Sequence, residues 1–166
     1  MSTSRFDPRF SSPGAQATPW HAVEAVLVGA ELYWLTTVRA DGRPHVTPLI
    51  GVWIDGAAYF STGLEEQKAR NLEHSTQVAL ATGVNTWDSG HDVVVEGTAT
   101  RLTDEESLQR FADVTREKYG DAWSYDIDGD VLTHGGGHPA GLFRIAPTKV
   151  LSFAKDPHAQ TAYYPS

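Results

Sequence analysis

The residues with the clearest chemistry lie between Ser61 and Arg70, where a predicted strand passes into a predicted helix. Two hydroxyls, Ser61 and Thr62, and a glycine are followed by two cations, Lys68 and Arg70. The first turn of a helix carries unpaired N–H groups and about half a unit of positive charge. With hydroxyl and cationic donors beside it, such a turn can bind a phosphate. The alternative is that Thr62 only caps the helix and Lys68 only pairs with Glu65.

Other nucleotide and metal motifs do not fit the sequence. The segment lacks the glycine spacing of Walker A and dinucleotide-binding loops. His134 and His138 flank three glycines, which disfavour the helix that metal ligands at this spacing need, so we expect no metal site there. The glycines indicate either a flexible loop or a close approach to a cofactor or a partner subunit. His45 is a candidate proton relay or cofactor donor, and a structural role in its strand fits equally well.

Composition excludes several classes of protein. The chain has 166 residues and a net charge of -8, whereas nucleic acids and anionic membranes are bound by basic surfaces. It has no cysteine, which excludes disulfides, zinc–thiolate sites, iron–sulfur clusters and thiol nucleophiles. No apolar run reaches the ~18 residues of a membrane helix, and residues 1–18 lack the apolar centre of a signal peptide. We therefore expect a cytoplasmic protein.

The pattern of elements predicts one mainly β domain at 19–155. Helices are predicted at 19–30, 65–74 and 104–119, the last two from Thr-x-x-Glu capping boxes. Strands are predicted at 32–38, 44–54, 57–61, 77–84, 92–102, 140–145 and 149–153, with a further short one at 131–132. Asp-Gly turns at 41–42 and 55–56 join the first three strands as a meander. A flexible lead-in at 1–18 and a tail at 156–166 flank the domain.

Two residues inside the predicted strands indicate departures from regular pairing. Pro48 cannot donate to a ladder, so its strand is an edge, contains a bulge, or lies where a ligand replaces a neighbouring strand. Gly97 predicts a bulge in the long strand at 92–102. Six or seven antiparallel strands with three helices indicate a small barrel rather than an open parallel sheet.

Five segments in this order resemble the pyridoxamine 5′-phosphate oxidase-like superfamily, the flavin and deazaflavin oxidoreductases of split-barrel fold. The segments are 41–48, 59–62, 67–72, 78–80 and 93–99, and the resemblance covers about residues 20–155. It implies a six-stranded antiparallel split β-barrel, mainly β with flanking helices. It also implies a homodimer with two cofactor sites between the subunits. The cofactor that the resemblance implies is FMN or the deazaflavin F420, and some members of the superfamily bind haem.

The resemblance also assigns roles to residues. Lys68 matches the phosphate-binding lysine, and Ser61 and Thr62 match a hydroxyl pair at the end of the third strand. Residues 45–48 match the strand beside the ring system, and Trp87 matches an aromatic residue from the second subunit. The expected cofactor-binding residues are His45, Val46, Thr47, Pro48, Ser61, Thr62, Gln67, Lys68, Arg70 and Trp87.

Three departures separate this chain from classical pyridoxamine phosphate oxidases. Gln67 stands where they carry an arginine, Asp92 stands where they carry a glutamine, and 151–166 contain no match to their C-terminal Arg/His motif. The resemblance therefore implies another FMN- or F420-dependent oxidoreductase, which transfers a hydride between its cofactor and a small molecule.

Two alternatives remain open. One is a non-catalytic protein that binds a flavin, F420, haem or a tetrapyrrole on the same barrel, and the other is a protein with the fold and no ligand. F420 differs from FMN in its acidic glutamyl tail, which favours a basic channel. Its candidate residues are Arg39, Arg43, Lys149 and Lys155.

Overall fold

Three α-helices form in the segments where the apolar spacing predicts them, but their caps differ from those predicted. The computed structural model describes residues 3–165. Its helices are α1 (Trp20–Gly29), α2 (Gln67–His74) and α3 (Glu105–Tyr119), with short 3-10 turns at Pro8–Phe10 and Gly120–Trp123. Asp104, not Thr103, caps α3, and its carboxylate accepts from the Ser107 N–H at 2.9 Å. No helix within 3–165 is both long and apolar enough to span a membrane.

The strands pair as one antiparallel sheet, which confirms the mainly β class. The first six are β1 (Thr3–Asp7), β2 (Tyr33–Val38), β3 (Pro44–Leu49), β4 (Val52–Ile54), β5 (Ala57–Gly63) and β6 (Gln77–Thr82). The others are β7 (His91–Leu102), β8 (Asp126–Asp128), β9 (Val131–Thr133), β10 (Ala140–Lys155) and β11 (His158–Tyr164). The main path of pairing runs β1-β11-β10-β7-β6-β2-β3, and β5 pairs with β10 and β4.

The single strand predicted at 44–54 is divided at a bend. Its first part, β3, pairs with β2, and its second part, β4, pairs with β5. The bend contains Gly51, where a Cβ would lie only 2.9 Å from the carbonyl oxygen of Tyr59. Among residues 3–165, β3 has β2 as its strand partner and therefore lies at an edge of the sheet, as Pro48 predicts.

Residues 3–165 contain eleven strands, whereas the sequence pattern predicted seven and a further short one. Two of the extra strands lie outside the predicted domain: β1 in the lead-in at 1–18, and β11 in the tail at 156–166. The two pair with each other, and β11 also pairs with β10. These two segments form strands because they pair with each other across the whole length of the chain. Local sequence patterns do not reveal pairing between such distant segments. Met1, Ser2 and Ser166 lie outside the described residues.

β10 is one long strand where two were predicted. Its register shifts between Pro147 and Lys149, across from Gly97 of β7. A Cβ on Gly97 would collide with the carbonyl oxygen of Ala146. The irregularity that Gly97 predicts is therefore present, and it lies in the partner strand.

Two apolar clusters lie on opposite sides of β5 and β10. In the first, α1 packs against the inner face of the sheet, where Phe60 and Phe143 stack with ring centroids 5.4 Å apart. In the second, α3 covers the other face and places Phe111 beside Tyr125 and Leu142. Adjacent residues of β5 therefore contribute to different clusters.

Lys118 joins α3 to the bend between β3 and β4. Its ammonium group lies 5.1 Å from the ring centre of Tyr33 and 5.2 Å from that of Tyr119. It donates to the Gly51 carbonyl oxygen at 3.1 Å. Burial lowers the pKa of Lys118 to about 8, while the charge of Glu31 acts in the opposite direction.

Candidate cofactor-binding site

Helix α2 begins two residues later than predicted. The helix begins at Gln67 with Glu66 as its N-cap, because β5 continues through Gly63 and the Glu66 N–H closes a turn onto the Gly63 carbonyl at 3.0 Å. The predicted capping box of Thr62 and Glu65 is therefore wrong. Glu66 takes the acidic role, accepting from the Gly63 N–H and the Thr62 hydroxyl, each at 3.0 Å.

Lys68 is a buried cation beside this turn. Its side chain is 10% exposed, and its ammonium group pairs with the other carboxylate oxygen of Glu66. The predicted pair with Glu65 is wrong, since Glu65 binds Arg70 at 2.9 Å on the exposed side of the helix. Partial burial opposes the ionisation of Glu66, but Lys68 outweighs it, so the pKa of Glu66 lies below its usual value.

Three donors therefore converge on one oxyanion position. We call the Thr62 hydroxyl, the Gly63 N–H and the Lys68 ammonium group the anion cradle. The Glu66 carboxylate lies in it and contacts all three donors. Donors that surround one carboxylate in this way are arranged to hold an oxyanion.

Ser61 does not reach the anion cradle. Its hydroxyl lies 2.8 Å from the Tyr125 hydroxyl, and it pairs across the sheet with Leu142 of the second apolar cluster. Successive side chains of a strand point to opposite faces, so Ser61 and Thr62 cannot act as a pair on one phosphate. No local sequence pattern indicated Tyr125 as the partner of Ser61.

The four predicted residues of β3 also divide between two faces. His45 and Thr47 pair with the buried Thr37 and Leu35 of β2, whereas Val46 and Pro48 lie on the opposite, exposed face. His45 Nδ1 and Thr47 Oγ1 are buried and have no hydrogen-bond partner in the described part of the chain. Burial lowers the pKa of His45, and the charges of Arg39 and Lys68 lower it further. His45 is therefore neutral at pH 7. Its side chain lies on the face of β3 that feels the positive charge of Lys68.

The open edge of β3 offers few backbone donors. The Arg39 N–H donates to the Arg43 carbonyl at 2.9 Å, which fixes the alternation of the antiparallel ladder. The backbone groups of Pro44, Val46 and Pro48 then point away from β2. Since proline has no N–H, Val46 supplies the one outward N–H between residues 44 and 48.

Asn71 ties α2 to the β2–β3 hairpin. This fully buried amide donates to the Thr37 hydroxyl at 2.8 Å, and Gln67 donates to the Asn71 side-chain oxygen at 2.7 Å. Gln67 and Arg70 therefore bond along α2 and do not enter the anion cradle. Sequence reasoning missed Asn71 and Glu66 as site residues. The signal for Asn71 was its position three residues after Lys68, on the same face of the helix.

The exposed face of β3 continues into an apolar row across the sheet. Directly paired residues of six strands form it: Pro48, Trp34, Ala81, Val94, Leu151 and Ala162. Trp34 is 49% exposed and Trp87 is 81% exposed. Both line an open groove of about 1170 Å³ at one end of this row. Within one chain, Trp87 and the anion cradle therefore lie on opposite faces of the sheet.

Lys155 holds the loop that carries Trp87. Its ammonium group contacts the carbonyl oxygens of Val84 and Thr86 and pairs with Asp92 at 3.0 Å. Asp92 stands where the classical oxidases carry a glutamine, and in this chain it forms an ion pair with Lys155.

Three of the four candidate residues of the basic channel have acidic partners. Arg43 pairs with Asp41 at 2.8 Å, and Lys149 lies 3.7 Å from Glu96. Lys155, on the same strand as Lys149, pairs with Asp92 at 3.0 Å. The basic channel therefore stays a prediction.

The His134–His138 loop has a packing role at its start. His134 Nδ1 lies 2.7 Å from the Ser124 carbonyl oxygen, and its ring stacks on Trp123 with centroids 5.1 Å apart. His138 is exposed. Within residues 3–165 no group of three or more histidine or acidic residues is placed to hold a metal ion.

Two curated proteins are similar to this chain over part of their length. The chain is 31% identical over 99 residues to the pyridoxine/pyridoxamine 5′-phosphate oxidase of Acidothermus cellulolyticus. The aligned segment covers 59% of this chain and 43% of the relative. It is 30% identical over 116 residues to the protein of the same name from Crocosphaera subtropica, covering 68% and 53%. The chain thus spans about half the length of the curated relatives it matches.

Three solved structures with different ligands in their names share the fold. A pyridoxamine 5′-phosphate oxidase-related, FMN-binding protein from Nostoc punctiforme has a TM-score of 0.62 at 18% identity, covering 92% of this chain and 94% of that one. An F420 reductase has a TM-score of 0.57 at 19% identity, covering 76% and 94%. The haem storage protein of Vibrio cholerae has a TM-score of 0.63 at 20% identity, covering 84% and 96%. Identities this low carry an argument about the fold alone.

The sequence match is the stronger finding, because it extends over the helices and strands that build the site. The sequence profile of the pyridoxamine 5′-phosphate oxidase family matches residues 19–153, from the cap of α1 into β10. This chain therefore belongs to the pyridoxamine 5′-phosphate oxidase family.

Proposed function

We propose that this protein is an oxidoreductase that binds FMN or F420 and transfers a hydride between that cofactor and a small molecule. The observation that carries the proposal is the convergence of three oxyanion donors beside a strand with orphaned polar atoms. Asn71, one helical turn after Lys68 on α2, donates to Thr37, which pairs with His45 across the sheet, so the anion cradle and the inner face of β3 are neighbours. A cofactor with a phosphate and a polar ring system fits both.

The residues present fit such a cofactor in two respects. The anion cradle supplies a hydroxyl, a backbone N–H and an ammonium group, which suit a phosphate. His45 Nδ1 and Thr47 Oγ1 are buried polar atoms without partners, and such atoms are costly unless something satisfies them. The heteroatoms of a flavin or deazaflavin ring would satisfy them.

In this proposal the bound cofactor supplies the redox chemistry, and the chain binds and orients it. Lys68, Thr62 and Gly63 hold the phosphate. The Val46 N–H at the open edge donates to the ring, and neutral His45 presents a nitrogen to it. Asn71 holds α2 against Thr37 of β2, the cross-strand partner of His45, so that the two halves of the site stay aligned. Ser61 is left out, because it faces the second apolar cluster.

We also propose that a second copy of this chain packs on the apolar row of the sheet. An exposed tryptophan beside aligned apolar residues on six strands is typical of a buried protein interface. Trp87 of one subunit would then reach the site of the other, since it lies on the opposite face from its own anion cradle. A homodimer would thereby complete each cofactor site.

Lys68→Met tests the phosphate contact. The substitution keeps the length of the buried stem and removes the charge, so we expect a loss of about ten- to hundredfold in FMN and F420 affinity, equivalent to about 1.5–3 kcal/mol. Fluorescence titration of the cofactor-free protein measures it. Lys149→Met is the matched control, because Lys149 is a half-buried cation of β10 that pairs with Glu96. Equal affinities for the wild type and Lys68→Met would contradict the assignment.

A haem carrier is the second candidate. It is favoured by His45, whose neutral imidazole with a free nitrogen is the form that ligates haem iron. Titration with haemin would distinguish the two functions by its absorption band. A band that forms in the wild type and is lost in His45→Ala, with no binding of FMN or F420, would favour the carrier.

A further inference from the structure

Glu66 occupies the position where the proposed function needs a ligand oxyanion. Its two carboxylate oxygens engage the Thr62 hydroxyl, the Gly63 N–H and the Lys68 ammonium group. The side chain is nevertheless 53% exposed. It can therefore be displaced toward solvent, but it remains tethered one residue before α2.

The charges at this end of α2 cancel. The carboxylates of Glu65 and Glu66 are paired with the cations of Arg70 and Lys68. An arriving phosphate meets a cradle whose one buried ammonium group is already neutralised. Because Coulomb energy scales with the product of the charges, a displaced carboxylate close by repels a dianion about twice as strongly as a monoanion.

The two candidate cofactors differ in this charge. The phosphate of FMN is a monoester with a second pKa of about 6, so it is close to a dianion at pH 8. The phosphate of F420 is a diester and carries one charge at any neutral pH. The charge of Glu66, the residue at the N-cap of α2, therefore affects the two cofactors to different extents.

We propose that Glu66 is a specificity-determining residue that competes for the anion cradle and disfavours phosphate monoesters relative to diesters. This inference rests on the proposed function, because it presupposes a cofactor phosphate in the cradle. Glu66 acts by occupying the donors in the free protein and by repelling the phosphate in the complex. Both effects depend on its charge.

The test is a fluorescence titration at pH 8 of the full chain with FMN, F420 and riboflavin. It compares the wild type with Glu66→Gln, in which the amide oxygen can still accept from Gly63 and Thr62 and so hold the turn that precedes α2. We expect Glu66→Gln to bind FMN about tenfold or more tightly than the wild type, since one like charge is removed at close range. F420 should gain clearly less, and riboflavin, which has no phosphate, should not change.

Glu65→Gln is the matched control. It removes the same charge from the preceding residue, whose side chain is 93% exposed and faces away from the cradle with Arg70. A gain for FMN in Glu65→Gln equal to that in Glu66→Gln would overturn the inference, as would equal gains for FMN and F420. Binding of FMN and riboflavin that Glu66→Gln leaves unchanged would overturn the inference alone. No binding of any of the three ligands to any variant would overturn the proposed function with it.

Discussion

Ser61 and Thr62 are adjacent in sequence, yet they lie in different environments. Thr62 belongs to the anion cradle, and Ser61 bonds to Tyr125 on the other side of β5. The residue types and their position after a strand were readable from the sequence. The alternation of side chains along a strand also places these two residues on different faces. The family resemblance, by contrast, matches them to a hydroxyl pair that acts together.

Substitution of the two hydroxyls separates their roles. Ser61→Ala leaves the buried Tyr125 hydroxyl without its partner and should lower the free energy of unfolding by about 1–3 kcal/mol. It should leave FMN or F420 affinity unchanged. Thr62→Val should instead weaken cofactor binding. Urea unfolding and cofactor titration of both variants measure this, and a loss of affinity in Ser61→Ala without a loss of stability would contradict it.

Glu66 shows why the rest of the site was not predictable. Its sequence neighbour Glu65 fits the capping-box spacing after Thr62, and nothing local distinguishes the two. The choice depends on how far β5 extends, which is fixed by pairing with β10 through Gly63. A shift of one residue moves the carboxylate into or out of the cradle. Lys68, by contrast, was a candidate phosphate ligand from its type and its position after the strand, and that role stays a prediction.

At the scale of elements, the sequence predicted the three helices and most of the strands. Turn chemistry was reliable: the Asp55–Gly56 turn has φ values of 48° and 75°, as a tight hairpin requires. The bend at Gly51 was missed, because the strand pattern continues on both sides of it. The bend turns one strand into two and leaves β3 at an edge, where the proposed ring site lies.

Lys118 links α3 to that bend, and its environment predicts a pH dependence. Its pKa is about 8 in the folded protein against a usual 10.5. Between these values the unfolded chain binds the proton and the folded chain does not, so stability contributed by this group rises with pH. We expect the free energy of unfolding of the wild type to increase relative to Lys118→Met from about pH 8 to pH 10.5. Parallel urea titrations across this range measure it, and a constant or falling difference would contradict it.

At the scale of the whole molecule, one face of the sheet has no cover within the described chain. The apolar row of paired residues across six strands could not be read from the sequence, because it joins strands that are far apart in the chain. Local alternation shows only that each strand has two faces. Which residues align across them depends on register, and register follows from turns and bulges such as the one opposite Gly97.

The proposed homodimer follows from this face. Trp34→Glu places a charge within the row and should convert a dimer into a monomer, because an unpaired charge in an apolar interface is costly. Light scattering after gel filtration measures the mass. Gln109→Glu, on the exposed face of α3, is the control and should leave the mass unchanged. A wild type that is monomeric at high concentration would contradict the proposal.

The two prolines of β3 have a consequence for how the protein behaves at high concentration. An uncovered sheet edge normally recruits strands from other molecules and starts aggregation. Pro44 and Pro48 remove two of the three outward amide hydrogens on this border, so a foreign strand finds too few donors for a ladder. A flat aromatic molecule needs only one. The open edge of β3 can thus stay accessible to a small ligand while it resists pairing with strands of other molecules.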